Sequence, residues 1–331
     1  MKTESLPGPS ATTRFLRSDA SQKVLAFGAL IALFVVFSLA SPNFFQFSNV
    51  VGILLATAVN GILALGVTFV IISGGIDLSV GTTMTFAAVM TGVFITNMGL
   101  PIPIGVLGGL IAGGLAGLVN GVVISRMKIP PFIATLGMFN ATKGLSLVIS
   151  DLTPIYFNDA AGFRDIAMGS IIGIPGFEIP NAVWIMFLAA IVASLVLSRT
   201  VLGRYTFAIG SNEEAVRLSG VPVAFWKTAV YVVCGLFAGL AGVVIAARLN
   251  SAQPSLGAGY ELDAIAAAVI GGTSLSGGEG TILGTVIGAF IISTLTNGLR
   301  ILSVPQEWQL VVTGAIVVLA VYLDLIRRRQ R

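Results

Sequence analysis

Residues 51–72, VGILLATAVNGILALGVTFVII, contain no charged side chain and one amide, Asn60. An apolar run of about 18 or more residues is long enough to cross the hydrocarbon core of a bilayer as a helix. Similar runs recur along the 331-residue chain, which is 56% hydrophobic and only 10% charged, whereas a soluble domain has about 25% charged residues. Because these runs are continuous and do not alternate with polar residues, they predict an all-α polytopic membrane protein and not a β-barrel.

The same criterion predicts ten transmembrane helices. The eighth is short for a full crossing, which indicates a broken or tilted helix. Spans two to five and seven to ten would form two units of opposite orientation, so two inverted four-helix repeats are a hypothesis, supported only by a faint likeness between residues 75–79 and 260–264. The ten spans lie at residues 24–40, 51–72, 80–98, 103–124, 131–149, 182–198, 228–247, 262–275, 281–299 and 308–326.

Lysine and arginine predict the orientation, because they accumulate on the cytoplasmic side. With the N-terminus inside, 14 of the 18 basic residues fall in cytoplasmic segments. The exceptions are Arg164, Arg248 and Arg300 outside and Lys143 within a span. Both termini are therefore expected in the cytoplasm. The expected parts are a cytoplasmic tail at 1–22, a transmembrane domain at 23–326 with a cytoplasmic segment at 199–227, and a basic cytoplasmic tail at 327–331.

Glycines recur at every fourth position of the fourth span. Small residues at this spacing let another membrane helix approach closely. We therefore expect one flat helix face for packing, formed by Gly105, Gly109, Gly113, Gly117 and Gly121.

The sequence lacks the residues of the common enzyme and metal sites. It has no histidine and one cysteine, Cys234, so we expect no catalytic set and no metal site. The glycine-rich turn at 276–280 lacks the lysine that a phosphate-binding P-loop needs. If transport uses ATP, the ATPase is expected on another chain.

Polar residues interrupt the apolar pattern in three places. Asp77 or Ser79 is placed to cap the third span, and a gating or subunit-contact role is the alternative. Asn60 and Lys143 lie within spans, where polar groups usually face the protein interior or a cavity. Lys143 is near enough to the outer end to snorkel, so a pore role is one of two readings. The outer segment before the eighth span offers capping groups or contacts for an external partner, and these are Arg248, Asn250, Gln253, Tyr260, Glu261 and Asp263.

The segment at 199–227 is a charged island between apolar runs. Within it, Glu214–Gly220 has the pattern of a short polar helix, with Asn212 or Ser211 as its N-cap and Gly220 at its end. Acidic residues at its start match the positive end of the helix dipole. A solvated surface helix would share these features, but a compact helix between two spans favours a docking surface.

These residues resemble a known family. Glu214-Ala215 followed by Gly220 resembles the short Glu-Ala-Ala…Gly signature of ABC importer permeases, with Val216 at the third position. Residues from about 23 to the C-terminus resemble the ribose-type monosaccharide permeases. The segments that carry this likeness are Ser41-Pro42-Asn43-Phe44-Phe45, residues 75–81, 259–266 and 271–275.

The resemblance implies a permease of the bacterial inner membrane that works as a homodimer. It would bind two cytoplasmic ATPase subunits, which hold ATP and magnesium, and receive a sugar from a periplasmic binding protein. No cofactor is expected in this chain, and no nucleic acid is expected as a partner. The resemblance also implies that Glu214–Gly220 is the coupling helix, and the ATPase-contacting residues would be Asn212, Glu213, Glu214, Ala215, Arg217 and Gly220.

Ribose is the first substrate that the resemblance suggests, ahead of other pentoses, hexoses and sugar alcohols. Two other classes of function stay open at this point. An ion-coupled secondary sugar transporter would move sugar in liposomes without an ATPase, although such proteins usually hold ionisable groups in mid-membrane. A membrane enzyme would show turnover as a purified chain.

Overall fold

The structure is a computed structural model that describes residues 19–172, 176 and 178–329, with side chains described from residue 24 to residue 322 apart from 173–175, 177 and 320. The predicted tail at 1–22 therefore lies almost wholly outside the described residues. Twelve α-helices and a two-stranded sheet make up the described part. The helices are α1 (Asp19–Ala40), α2 (Phe47–Ile72), α3 (Val80–Gly92), α4 (Ile102–Ser125), α5 (Pro131–Ile149), α6 (Asp165–Met168), α7 (Asn181–Arg199), α8 (Val201–Leu218), α9 (Val223–Leu249), α10 (Tyr260–Ile270), α11 (Ile282–Ile301) and α12 (Gln306–Arg329).

Within the described residues, seven helices are long and apolar enough to cross a membrane. They are α2, α3 with the π-helical turn Val93–Asn97 that continues it, α4, α5, α7, α9 and α11. The all-α membrane architecture is thus confirmed. A helix lies at each of the ten predicted spans, but the apolar parts of α1 and α12 are shorter and α10 has only 11 residues. Ten crossings and the inverted repeats stay predictions.

Helix α2 forms the centre of the bundle. Every residue from Thr57 to Ile72 is buried, and α7, α9, α10 and α11 all pack against it. A helix that is apolar on all sides is stable only where it is surrounded by other apolar surfaces. The stretch that predicts a membrane protein most clearly is therefore also the core of the fold.

All five glycines of the α4 row pack closely on neighbouring helices, as predicted, but on two helices and not on one. Residues four apart on a helix are offset by about 40°, so the glycine row winds around the axis of α4 along its length. An added Cβ at Gly109 would overlap Thr91 of α3, whereas one at Gly117 would overlap the Tyr231 carbonyl oxygen of α9. The first two glycines of the row, Gly105 and Gly109, pack on α3 and its continuation. The last three pack on α9, and these are Gly113, Gly117 and Gly121.

A small sheet joins the loop between α5 and α7 to the segment that follows α9. Strand β1 (Ile155–Tyr156) pairs antiparallel with β2 (Ser251–Ala252), with Ile155 opposite Ala252. Beside it, the rings of Phe157 and Phe163 stack with centroids 4.0 Å apart. The long loop expected at 150–181 is thus fastened to the segment that follows α9.

Candidate functional site

The charged island is built of helix and not of an open loop. Helix α8 begins at Val201, where the Thr200 hydroxyl accepts a hydrogen bond from the Gly203 N–H at 3.3 Å. It is interrupted at Asn212, whose backbone is extended (φ −158°, ψ 95°), and it ends at Leu218. The first part of α8 was not predicted, because two glycines interrupt its apolar residues. We call residues 213–218, after the break, the terminal segment of α8.

Asn212, and not Ser211, caps the terminal segment. Its side-chain oxygen accepts a hydrogen bond from the Ala215 N–H at 3.0 Å. At the other end, the Gly220 N–H donates to the Arg217 carbonyl at 3.1 Å, and Gly220 has a φ of +82°, which favours glycine. The predicted capping pattern is confirmed, and it gives the segment a defined start and end.

Two ion pairs arrange the charges of the terminal segment. Arg217 contacts Glu214 at 2.6 Å, with both side chains more than 60% exposed. Lys227, near the start of α9, contacts Glu213 at 2.6 Å. An exposed pair such as Arg217–Glu214 contributes only about 0.2–1 kcal/mol, so it orients the segment more than it stabilises it. The rings of Tyr205 and Trp226, 4.9 Å apart, add a second link between α8 and α9.

Asp77 and Ser79 form a buried polar link between helices. The Asp77 carboxylate accepts hydrogen bonds from the Ser79 N–H at 2.8 Å and from its hydroxyl at 2.6 Å. The Asn120 amide of α4 donates to the Ser79 hydroxyl at 2.9 Å. Ser79 is the N-cap residue of α3 and makes no side-chain capping bond, so of the two predicted candidates it is Asp77 that accepts a free N–H at the start of α3. Asn120 was not predicted, although it is the one amide in its apolar run.

The segment between α9 and α10 folds inward against the start of α3. An added Cβ at Gly81 would overlap the Gly257 carbonyl oxygen and lie 2.6 Å from the Glu261 carboxylate. The Glu261 carboxylate accepts a hydrogen bond from the Gly259 N–H at 3.0 Å. Glu261 is therefore buried and bonded within its own turn. Tyr260 and Asp263 are half-buried in the first turn of α10.

The remaining predicted partner-contact residues are bonded inside the chain. The Arg248 guanidinium donates to the Leu55 carbonyl at 3.2 Å. Asn250 ends α9 with a φ of +51°, and its side chain contacts Asn158 at 3.3 Å. Gln253 donates to the Ser251 hydroxyl at 2.9 Å. These bonds give each residue a structural role, and contact with an external partner stays a prediction.

Lys143 lies on a crevice beside the inward-folded segment. The crevice lies between α3, α5 and residues 254–258. Its lining includes Lys143 and the hydroxyls of Thr82, Thr85 and Ser255. Thr142 donates to the Thr82 hydroxyl at 2.8 Å and so joins α5 to α3 at this depth. An exposed ammonium among hydroxyl groups can donate hydrogen bonds to a polar solute.

Asn60, the other polar residue predicted within a span, is 8% exposed at the centre of α2. Its side-chain oxygen accepts no hydrogen bond among the described residues. Among the described residues, Asn60 is not one of those that line the Lys143 crevice. In the described part of the chain, no three His, Cys, Asp or Glu side chains group as metal ligands would.

Comparison with known proteins places this architecture in a transport family. The chain is 42% identical to the ribose import permease protein RbsC of Escherichia coli K12 over 303 residues, 89% of this chain and 91% of that one. It is 42% identical to RbsC of Bacillus subtilis over 325 residues, 98% of each chain. It is 36% identical to the L-arabinose ABC transporter permease protein AraH of Azospirillum brasilense over 301 residues, 91% of this chain and 87% of that one.

No solved structure matches the chain. Residues 49–321 match the family described as branched-chain amino acid transport system / permease component. This match takes in all seven of the membrane-length helices except the first two residues of α2. The chain therefore belongs to this family of transport permeases.

Proposed function

We propose that this chain is the membrane permease subunit of an ATP-binding-cassette importer for a monosaccharide, with ribose as the first candidate. The ribose and arabinose permeases that it resembles support the substrate class. The observation that carries the proposal is the terminal segment of α8, which is capped at both ends and charged, and which lies between two membrane-length helices.

The terminal segment is the surface that we assign to the ATPase. Glu214 and Arg217 form an exposed ion pair, so both side chains are accessible to a partner. The Asn212 cap and the Glu213–Lys227 pair hold the segment in place before binding. A preorganised surface loses less conformational entropy when it binds, which favours affinity. ATP and magnesium belong to the partner ATPase in this proposal, and both termini lie on the same cytoplasmic side.

We place a second copy of the chain against α5. This is the most exposed of the seven membrane-length helices, with only 17% of its apolar window buried. Its exposed face carries Asn140 and Lys143 as well as apolar residues. Polar groups are costly against lipid, so a protein partner and a hydrated path suit this face better. Lys143 and its crevice would then face the path, and Asp77, Ser79 and Asn60 stay gating candidates.

The outer segments are the proposed docking surface for a periplasmic sugar-binding protein. The β1–β2 pair joins the two longest of them into one ordered surface. Arg248, Asn250, Gln253, Tyr260, Glu261 and Asp263 lie in or beside this region.

The test is reconstitution in liposomes with the cognate ATPase and sugar-binding protein. We expect ATP-dependent uptake of radiolabelled ribose, lost in a Glu214→Lys variant that is still inserted in the membrane. A Gly28→Ala variant, in which the added Cβ meets no atom within 4 Å, is the control and is expected to transport normally. Uptake driven by an ion gradient without the ATPase would contradict the proposal. If the panel of sugars bound by the binding protein excludes ribose, only the substrate assignment changes.

A further inference from the structure

Four glycines from three separate segments meet at the base of the terminal segment of α8. They follow α2 (Gly74), precede the break in α8 (Gly210) and form the turn between α10 and α11 (Gly277, Gly278). Gly74, Gly277 and Gly278 have φ values of +77°, +82° and +76°, which favour glycine. We call these four residues the glycine junction.

The contacts at the junction are between backbones. The Gly278 N–H donates a hydrogen bond to the Ile72 carbonyl, the last of α2, at 2.8 Å. An added Cβ at Gly210 would overlap that same carbonyl oxygen and lie 2.6 Å from the Gly278 nitrogen. An added Cβ at Gly277 would lie 2.8 Å from the Gly210 oxygen. Any side chain at Gly210 would therefore separate the Gly278 N–H from the Ile72 carbonyl, and so weaken the hydrogen bond that joins the turn to α2.

The junction is only two residues from Asn212, the cap of the terminal segment. Ser211, between them, packs on Gly278, where an added Cβ would lie 3.2 Å from the Ser211 nitrogen. Backbone contacts of this kind are less yielding than contacts between flexible side chains. A displacement of the terminal segment therefore reaches the end of α2 and the turn before α11 through a short, stiff connection.

We propose that Gly210, Gly277 and Gly278 are positioning residues that transmit movement of the terminal segment to α2 and α11. This inference rests on the proposed function, because it assumes that an ATPase moves the segment. The helices that move are then α2, at the centre of the bundle, and α11, which follows the short α10. Transmission requires an element of the chain that has two arrangements. Binding of the ATPase and opening of the transport path must each change the balance between these two arrangements.

The first test is a Gly210→Ala variant reconstituted with the ATPase and the binding protein. We expect the ATPase to co-purify as with the unaltered chain, while the ribose transported per ATP hydrolysed falls by about fivefold or more. The matched control is Gly52→Ala in α2, where an added Cβ meets no atom within 4 Å. An unchanged ratio of ribose to ATP in Gly210→Ala would overturn the inference. If the unaltered chain neither binds the ATPase nor transports, the proposed function itself fails.

The second test does not depend on the stability of Gly210→Ala. A Ser211→Cys/Gly278→Cys pair would place the two Cβ atoms about 3.3 Å apart, close to the spacing of a disulfide. If the junction moves as one stiff unit, oxidation leaves ribose transport within twofold of that of the reduced protein. Loss of transport on oxidation, reversed by a reductant, would show that the junction must open and would overturn the inference. The single cysteine variants control for oxidation elsewhere.

Discussion

Removal of the Asn212 side chain should weaken binding of the ATPase without unfolding the permease. The Asn212 oxygen is the acceptor for the Ala215 N–H at 3.0 Å, and the backbone of Asn212 is extended, a conformation that alanine adopts without strain. An Asn212→Ala substitution therefore changes the cap alone. Loss of such a cap costs about 1 kcal/mol.

The cost should appear mainly in the terminal segment. That segment has six residues, too few to form a stable helix in isolation, so it depends on its cap and its ion pairs. Since every 1.4 kcal/mol is a factor of ten in affinity, a loss of about 1 kcal/mol weakens ATPase binding by about fivefold. The melting temperature of the permease in detergent should stay unchanged, because the segment is exposed and peripheral to the core.

The assay is titration of the ATPase onto permease held in nanodiscs. Asn212→Asp keeps an oxygen acceptor and should bind like the unaltered chain. Ser211→Ala is the matched control, because the Ser211 hydroxyl makes no capping bond to the terminal segment. Equal weakening by Ser211→Ala and Asn212→Ala, or normal binding by Asn212→Ala, would refute the assignment of the cap.

Three further predictions concern packing, the buried polar link and the crevice. Gly117→Ala should lower stability by about 1–3 kcal/mol through overpacking against α9, measured as thermal unfolding in detergent, whereas Gly144→Ala, with no atom within 4 Å of its added Cβ, should have no effect. Asp77→Ala should destabilise the protein by about 1–3 kcal/mol for each buried donor left unpaired. Asp77→Asn keeps an acceptor for Ser79 and should largely restore stability. Equal unfolding temperatures for the two variants would contradict this role of Asp77. Lys143→Met should lower ribose uptake in liposomes by about tenfold, since a hydrogen bond from a charged donor is worth about 1.5–3 kcal/mol. Lys143→Arg should retain most of the uptake. Normal uptake by Lys143→Met would show that Lys143 does not line the transport path.

The membrane fold and the capped terminal segment could be predicted from the sequence because both depend on nearby residues. Continuous apolar runs identify helices such as α2, α4 and α9 without knowledge of their neighbours. The Asn212 cap joins residues only three positions apart, so it could also be predicted from the sequence. The number of crossings stays a prediction, because α10 has only 11 residues and a full crossing takes about 20.

The relations between distant segments could not be predicted in this way. The turning row of glycines on α4, the bond from Asn120 to Ser79 and the Lys143 crevice each join residues tens of positions apart. The glycine junction joins Ile72, Gly210 and Gly278, whose glycines look like ordinary turn or helix residues in the sequence. Hydrophobicity and local hydrogen bonding depend on short stretches of the chain, and they specify a helical membrane protein with a capped polar helix. Which backbones touch is settled by the packing of whole helices, and this packing connects that polar helix to the centre of the bundle.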